Sequence, residues 1–379
     1  MIAPHISHLS LINIEEYMKI MSRISTKPLL LLALSSMFTL AACDQVTPVP
    51  PTPAATPTSG AASAPTKVTI ALGYIPDVQF APFYLALNKG YYKAEGLDVT
   101  LQNGIVTDLI TQLGSGQNGI NFAVVSGDEV IPARIQGIPV KYVMTWYRQY
   151  PVAAVSVTGQ GPTLKTPADL KGHKVGVPGP FGSTYTGLLA LLKAGGLTLS
   201  DIQMESIGFT QVASLSAKQV DIAMVYAANE PVQLQSQGVG VSTLKVADYA
   251  QLASNGLATN DQTLKDNPDL VAKVVRATLH GVQDTIADPD AAFQATLTQV
   301  PEAGGANKDL QLKILQETIK LMQPNPDDKS ARAVLPTLGF TEEAVWQSTE
   351  DFLFDSKLIT QKPDIKDMFT NQFVQLPPK

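Results

Sequence analysis

The 379-residue sequence contains little of what most enzymes and nucleic-acid-binding proteins require. Its single cysteine, Cys43, excludes an intramolecular disulfide. Four histidines occur without a metal-binding spacing, and no nucleophile-elbow or phosphate-loop motif is present. A formal net charge of −6 lacks the basic surplus that nucleic-acid binding needs. We therefore expect no catalytic residues, no metal, no cofactor and no nucleic-acid partner.

The N-terminal segment has no apolar run of transmembrane length. Leu29 to Leu40 falls short of the ~20 residues that span a bilayer, and basic residues precede it. This order predicts a secretion signal over residues 1–42. The run ends in Leu40-Ala41-Ala42-Cys43, which resembles the bacterial lipoprotein box and implies acylation of Cys43. We expect a lipid anchor on the extracytoplasmic face of the cell membrane.

The composition divides the rest of the chain into a linker and an α/β body. Residues 43–66 are rich in Pro, Thr, Ala and Ser, which predicts an extended spacer. From residue 67, short apolar strands alternate with helices, a pattern typical of parallel sheets. It restarts after a Gly-rich loop near residue 160 and becomes mostly helical beyond residue 259. We predict an α/β fold of two lobes: 67–157 and 158–247, with 248–379 returning to the first lobe.

The candidate site consists of loops that follow apolar strands. In open α/β sheets, ligands bind beyond the carboxyl ends of the strands. Aromatic side chains there suit stacking on a flat ligand, and the amide and carboxyl groups suit its polar edge. Helix capping at Ser126 and Asp128, and a purely structural role for Tyr74 and Phe80, are the alternatives. The candidate ligand-binding residues are Tyr74, Asp77, Gln79, Phe80, Ser126, Asp128, Trp146, Tyr147, Ser183, Thr184, Tyr226, Asn229 and Glu230.

Several of these segments carry a family likeness. Four segments resemble the NMT1/THI5-like solute-binding proteins of ABC importers. They are the loop from Tyr74 to Phe80, the stretch Lys89 to Val99, the stretch Pro167 to Gly172 and the motif Asn229-Glu230-Pro231. The resemblance implies a bilobed, type II periplasmic-binding-protein fold, with the ligand between the lobes. It also implies hinges near 157–159 and 245–250, and permease and ATPase partners for a monomeric binding protein.

The same resemblance leaves several ligands open. Pyrimidine-binding members carry Trp-x-Pro-Asn-x-x-His in the first loop, where this chain has Tyr74-Ile75-Pro76-Asp77-Val78-Gln79-Phe80. The aromatic loops and the lipoprotein linker favour the riboflavin-binding branch, ahead of a thiamine pyrimidine precursor or a sulfonate- or nitrate-type anion. A pyrimidine synthase would need cysteine and histidine residues that the ligand loops lack. A surface sensor or adhesion lipoprotein without a transport partner is a further alternative.

Overall fold

The structure is a computed structural model that describes residues 64–323 and 338–375. The predicted signal peptide, the lipidation of Cys43 and nearly all of the predicted linker lie outside the described residues. Within the described part, no helix combines the length and the apolar character needed to cross a membrane.

Two five-stranded sheets form the body of the protein. The first has the order β2-β1-β3-β10-β4, and the second has the order β7-β6-β8-β5-β9. The strands are β1 (Thr66–Leu72), β2 (Leu97–Asn103), β3 (Ile120–Ser126), β4 (Val140–Thr145), β5 (Val152–Val157), β6 (Lys174–Val177), β7 (Gln203–Ser206), β8 (Ile222–Tyr226), β9 (Val241–Lys245) and β10 (Asn255–Asn260).

Both sheets are mixed, whereas the sequence pattern predicted parallel ones. β1 runs parallel to β2 and β3, and β6 runs parallel to β7 and β8. However, β10 is antiparallel to β3 and β4, and β5 is antiparallel to β8 and β9. A strand buried on both faces is continuously apolar whichever way it runs, so its composition does not reveal its direction.

Helices cover both sheets and follow the predicted alternation. They are α1 (Ala81–Asn88), α2 (Tyr91–Ala94), α3 (Val106–Ser115), α4 (Gly127–Ile135), α5 (Gly182–Ala194), α6 (Gln211–Ser216), α7 (Glu230–Ser236), α8 (Asp261–Asp266), α9 (Pro268–Ala287), α10 (Pro289–Gln299), α11 (Lys308–Met322) and α12 (Glu343–Asp355). Pro167–Leu170 is a single 3₁₀ turn with a Thr166–Asp169 capping box.

The chain passes between the sheets at residues 146–151 and again at 246–254. β5 therefore belongs to the second sheet, so the first crossing lies before residue 152, not near the predicted hinge at 157–159. The Gly-rich loop at 159–161 suggested a break between the lobes, but in the structure it is a turn at the end of β5. The second crossing overlaps the predicted hinge at 245–250.

The core ties the helical C-terminal part to the first sheet. Helix α9 buries Val271, Val274 and Leu279 on one face. Its Gly281 lies against α1 so closely that a Cβ would stand 2.2 Å from the Pro82 carbonyl oxygen. Only glycine permits this approach, and it fixes α1 and the loop before it beside the first sheet.

Candidate functional site

A cavity of about 100 Å³, partly open to solvent, lies between the two lobes. The first lobe contributes Gly73, Tyr74, Gln79, Phe80, Ile105, Val124, Glu129, Trp146 and Asn255. The second contributes Pro178, Phe181, Gly182, Ser183, Thr184, Phe209, Gln211, Tyr226, Asn229 and Glu230.

The first lobe's wall is a packed group of aromatic rings. Phe80 stacks on Trp146 with ring centroids 5.7 Å apart, and Tyr147 stacks on it at 4.1 Å. Phe83 meets the same indole edge-on at 5.4 Å. Trp146 is consequently only 1% exposed. Trp146 lines the cavity, but these rings cover most of its surface, so it also supports the wall. Its predicted stacking on a ligand stays a prediction.

A short turn positions the ring of Phe80. Val78–Phe80 is a 3₁₀ turn whose first backbone groups are capped by Asp77, since the Gln79 backbone N–H donates to the Asp77 carboxylate over 2.9 Å. Asp77 thus holds the loop that presents Gln79 and Phe80, and it does not line the cavity itself.

The second lobe's wall is open, in contrast to the first. Phe181 is 41% exposed and Phe209 is 53% exposed, although both line the cavity. Phe209 reaches across to Tyr74 of the first lobe, edge-on at 5.5 Å. Gly182, which follows Phe181, has a φ of +70°, a conformation that favours glycine where the chain turns into α5. Large apolar surfaces exposed inside a cleft are typical of a binding site.

Polar groups complete the lining at the starts of α4 and α7. The Ser126 backbone N–H donates to Glu129 Oε2 over 3.0 Å, as part of a capping box. The Tyr226 backbone N–H donates to Glu230 Oε2 over 3.0 Å. Asn255 donates weakly to the Tyr226 hydroxyl at 3.4 Å, while its Oδ1 has no partner among the described residues.

Burial shifts the titration of the acids in and beside this cavity. Desolvation raises the pKa of Glu230 to about 7 and the pKa of Asp77 to about 6. Burial, together with the neighbouring Asp128 charge, raises the pKa of Glu129 to about 8. No Lys, Arg or His belongs to the lining in the described part of the chain. In residues 64–323 and 338–375 no group of acids, histidines and cysteines is arranged to hold a metal ion.

Asp128 links the two lobes. Its Oδ2 lies 3.0 Å from the Tyr150 hydroxyl, which also lies 2.9 Å from the Ser183 carbonyl oxygen. The Ser183 hydroxyl donates to Asp128 Oδ1 over 3.3 Å. Asp128 therefore serves as a contact between the start of α4 and the start of α5, behind the cavity lining.

Most of the predicted site residues converge on the cavity. Those that line it are Tyr74, Gln79, Phe80, Trp146, Ser183, Thr184, Tyr226, Asn229 and Glu230. Those that lie behind the lining are Asp77, Ser126, Asp128 and Tyr147. They cap a turn or helix, join the lobes or pack an aromatic ring, so they support the lining without belonging to it.

The sequence reading missed part of the lining. Phe209 and Gln211 follow β7, a four-residue strand that is mostly exposed and carries no apolar pattern. Asn255 begins β10, which was not identified as a strand. Glu129 and Phe181 lie in loops that were predicted to contact the ligand through neighbouring residues, so the loops were identified although these two side chains were not.

Comparison with known proteins finds relatives that match most of the chain. It is 42% identical over 332 residues to the riboflavin-binding protein RibY of Chloroflexus aurantiacus, covering 86% of this chain and 92% of that protein. It is 26% identical to the 4-amino-5-hydroxymethyl-2-methylpyrimidine phosphate synthase THI11 of Saccharomyces cerevisiae, covering 66% of this chain and 75% of the yeast protein.

The solved structures support the fold. The periplasmic aliphatic sulphonate binding protein SsuA of Escherichia coli superposes with a TM-score of 0.60 at 18% identity, covering 83% of this chain and 95% of SsuA. The predicted bilobed, type II periplasmic-binding-protein fold is thereby confirmed. A family model described as NMT1/THI5 like matches residues 77–292. The chain belongs to the NMT1/THI5-like family.

Proposed function

We propose that this protein binds riboflavin between its lobes and delivers it to the permease and ATPase of an ABC importer. The observation that carries the proposal is the 42% identity, along 86% of the chain, to a protein named for riboflavin binding. The yeast relative named as a synthase is less similar and covers less of the chain. We therefore assign a binding role and no enzymatic activity.

The cavity suits a flat, polycyclic ligand. Tyr74 and Phe80 approach it from the first lobe, and Phe181 and Phe209 approach it from the second. Aromatic pairs gain ~0.5–1.5 kcal/mol beyond the burial of their area. A ring system that contacts both walls would therefore gain from each lobe.

The polar lining suits the edge of such a ring. Gln79 and Asn229 offer amide groups and Ser183 offers a hydroxyl, so donors and acceptors are both available to ring carbonyl and N–H groups. A ligand left without these partners would bury unpaired polar atoms at a cost of ~1–3 kcal/mol each. Among rings of similar size, these polar groups would favour those whose polar edge can pair with them.

Ligand binding would favour the closed arrangement of the lobes. A ligand shifts a conformational equilibrium only through its different affinity for the two states. Here the ligand would touch Phe80 and Phe209 together only when the lobes are closed, and the closed form would then dock on the permease. Acylation of Cys43 and the spacer over residues 43–66 would hold the protein at the extracytoplasmic face of the membrane.

A thiamine pyrimidine precursor is the second candidate ligand. The relationship to a yeast protein named for pyrimidine phosphate synthesis favours it. A sulfonate- or nitrate-type anion fits less well, because the described lining holds two carboxylates and no cation. A sensor or adhesion role would be separated from import by whether a permease binds the closed protein.

The test is the absorption spectrum of the purified protein, followed by thermal-shift measurements. We expect flavin bands in the visible range, or a rise in melting temperature with riboflavin that exceeds the rise with aminopyrimidines or taurine. Stabilisation by an aminopyrimidine alone would replace riboflavin with the second candidate. Stabilisation by taurine alone would contradict both heterocycles.

A further inference from the structure

Helix α5 begins at the cavity, at Gly182. The start of a helix carries a partial positive charge and free backbone N–H groups, which ordinarily favour a phosphate or another anion. A cleft with such a start would be expected to accept an anionic ligand unless something opposes it.

Two of the chain's own carboxylates line this cavity, those of Glu129 and Glu230. Glu129 Oε2 accepts the Ser126 backbone N–H at 3.0 Å, and Glu230 Oε2 accepts the Tyr226 backbone N–H at 3.0 Å. Glu129 Oε1 also lies 3.6 Å from the position that a Cβ on Gly182 would take, so it reaches the start of α5. A carboxylate oxygen therefore already lies where that helix start would favour an anion.

Nothing in the described lining neutralises these two acids. The residues around the cavity include Glu129 and Glu230 but no Lys, Arg or His, within the ranges that the structure covers. The raised pKa of each acid, about 8 for Glu129 and about 7 for Glu230, follows chiefly from burial. Above these pKa values the carboxylates carry negative charge and would repel a phosphate.

We propose that Glu129 and Glu230, once ionised, make the site selective for an uncharged heterocycle over its phosphate ester, and thus for riboflavin over riboflavin 5′-phosphate. The proposal rests on the proposed function for its choice of ligand. Like charges brought together in a partly desolvated site repel each other. We expect the phosphate ester to bind at least about tenfold more weakly than the free heterocycle.

The test is a titration of the purified protein at about pH 8.5 with two matched pairs. The pairs are riboflavin with riboflavin 5′-phosphate, and 4-amino-5-hydroxymethyl-2-methylpyrimidine with its phosphate. The titration is repeated on the double variant that combines Glu129→Gln and Glu230→Gln. In this variant the ratio of the affinity for the free heterocycle to the affinity for its phosphate should fall at least about fivefold. Glutamine keeps a carbonyl oxygen to accept each backbone N–H. If the double variant does not fold, the single variant Glu230→Gln is titrated in its place.

Glu350→Gln is the matched control, since Glu350 is buried on α12 and accepts a hydrogen bond from Gln347, outside the cavity lining. It should leave the ratio unchanged. Equal affinity for riboflavin and its phosphate would overturn the selectivity while leaving the proposed function in place. If only the pyrimidine and its phosphate bind, riboflavin is not the ligand. The ratio of the affinities for the pyrimidine and its phosphate then tests the selectivity. No binding of any of the four overturns both proposals.

Discussion

The two walls of the cavity are built differently. In the first lobe, Trp146 is stacked by Phe80 and Tyr147 and is almost fully buried. In the second, Phe181 and Phe209 stand partly exposed. The first wall is assembled by the fold itself, whereas the second leaves apolar surface that only a ligand or the opposite lobe can cover. Aromatic content alone therefore does not identify the residues that supply binding energy.

This contrast between the two walls predicts which side chains stabilise the folded protein and which contribute to ligand affinity. Removing a side chain packed inside a wall leaves a void and costs the folded state directly. Removing an exposed ring costs the folded protein little but deprives a ligand of its contact. Substitutions in the first wall should therefore change stability most, and substitutions in the second should change affinity most.

The largest effect is expected from Trp146→Ala. The indole is buried against three aromatic rings, so its loss should lower the free energy of unfolding by about 3–5 kcal/mol. Urea denaturation followed by circular dichroism measures this change. A variant as stable as the parent, with weakened ligand binding, would show that Trp146 is a ligand contact and not a support.

A smaller effect, on affinity, is expected from Phe209→Ala and Phe181→Ala. Each should weaken riboflavin binding about tenfold, equivalent to ~1.4 kcal/mol, and leave the melting temperature of the unliganded protein nearly unchanged. Isothermal titration measures the affinities. Phe354→Ala is the control, because Phe354 is 42% exposed on α12 and does not line the cavity. Equal losses of affinity in all three variants would show that Phe181 and Phe209 are not specific ligand contacts.

A third effect is a pH dependence of stability that arises from the acids between the walls. The pKa of Glu129 is raised to about 8 in the folded protein, so the folded state binds a proton that the unfolded state has released. The stability linked to this proton is present below the unfolded pKa, and it is lost as the pH rises through about 8. The protein should therefore lose stability relative to Glu129→Gln between about pH 5 and pH 8.

Melting temperatures of both forms across this pH range measure the difference. Glu205→Gln, an exposed substitution on β7, should follow the parent at every pH. A constant gap between the parent and Glu129→Gln would show that Glu129 has the same pKa in the folded and unfolded states.

The sequence predicted the fold well where burial leaves a periodic signal. The alternation of short strands with helices was predicted because strands such as Val152–Val157 carry a strong apolar pattern. The sheet to which Val152–Val157 belongs, and its antiparallel direction, could not be predicted. Both depend on how the chain crosses between the lobes, which composition does not encode.

The site was predicted in its loops but not in its detail. Tyr74, Asn229 and Glu230 follow strong strands and were identified for that reason. Phe209 follows a weak, exposed strand and was missed. The difference between a lining ring such as Phe80 and a buried ring such as Tyr147 arises from packing between distant segments, so only the structure reveals it.

The central claim is that a planar heterocycle is held between the two walls, and a crystal structure of the protein grown with riboflavin tests it most directly. The account predicts a flavin ring between Phe80 and Tyr74 on one side and Phe181 and Phe209 on the other, with Trp146 still buried behind Phe80. A flavin bound outside this cavity, or a cavity that stays empty at saturating riboflavin, would contradict it.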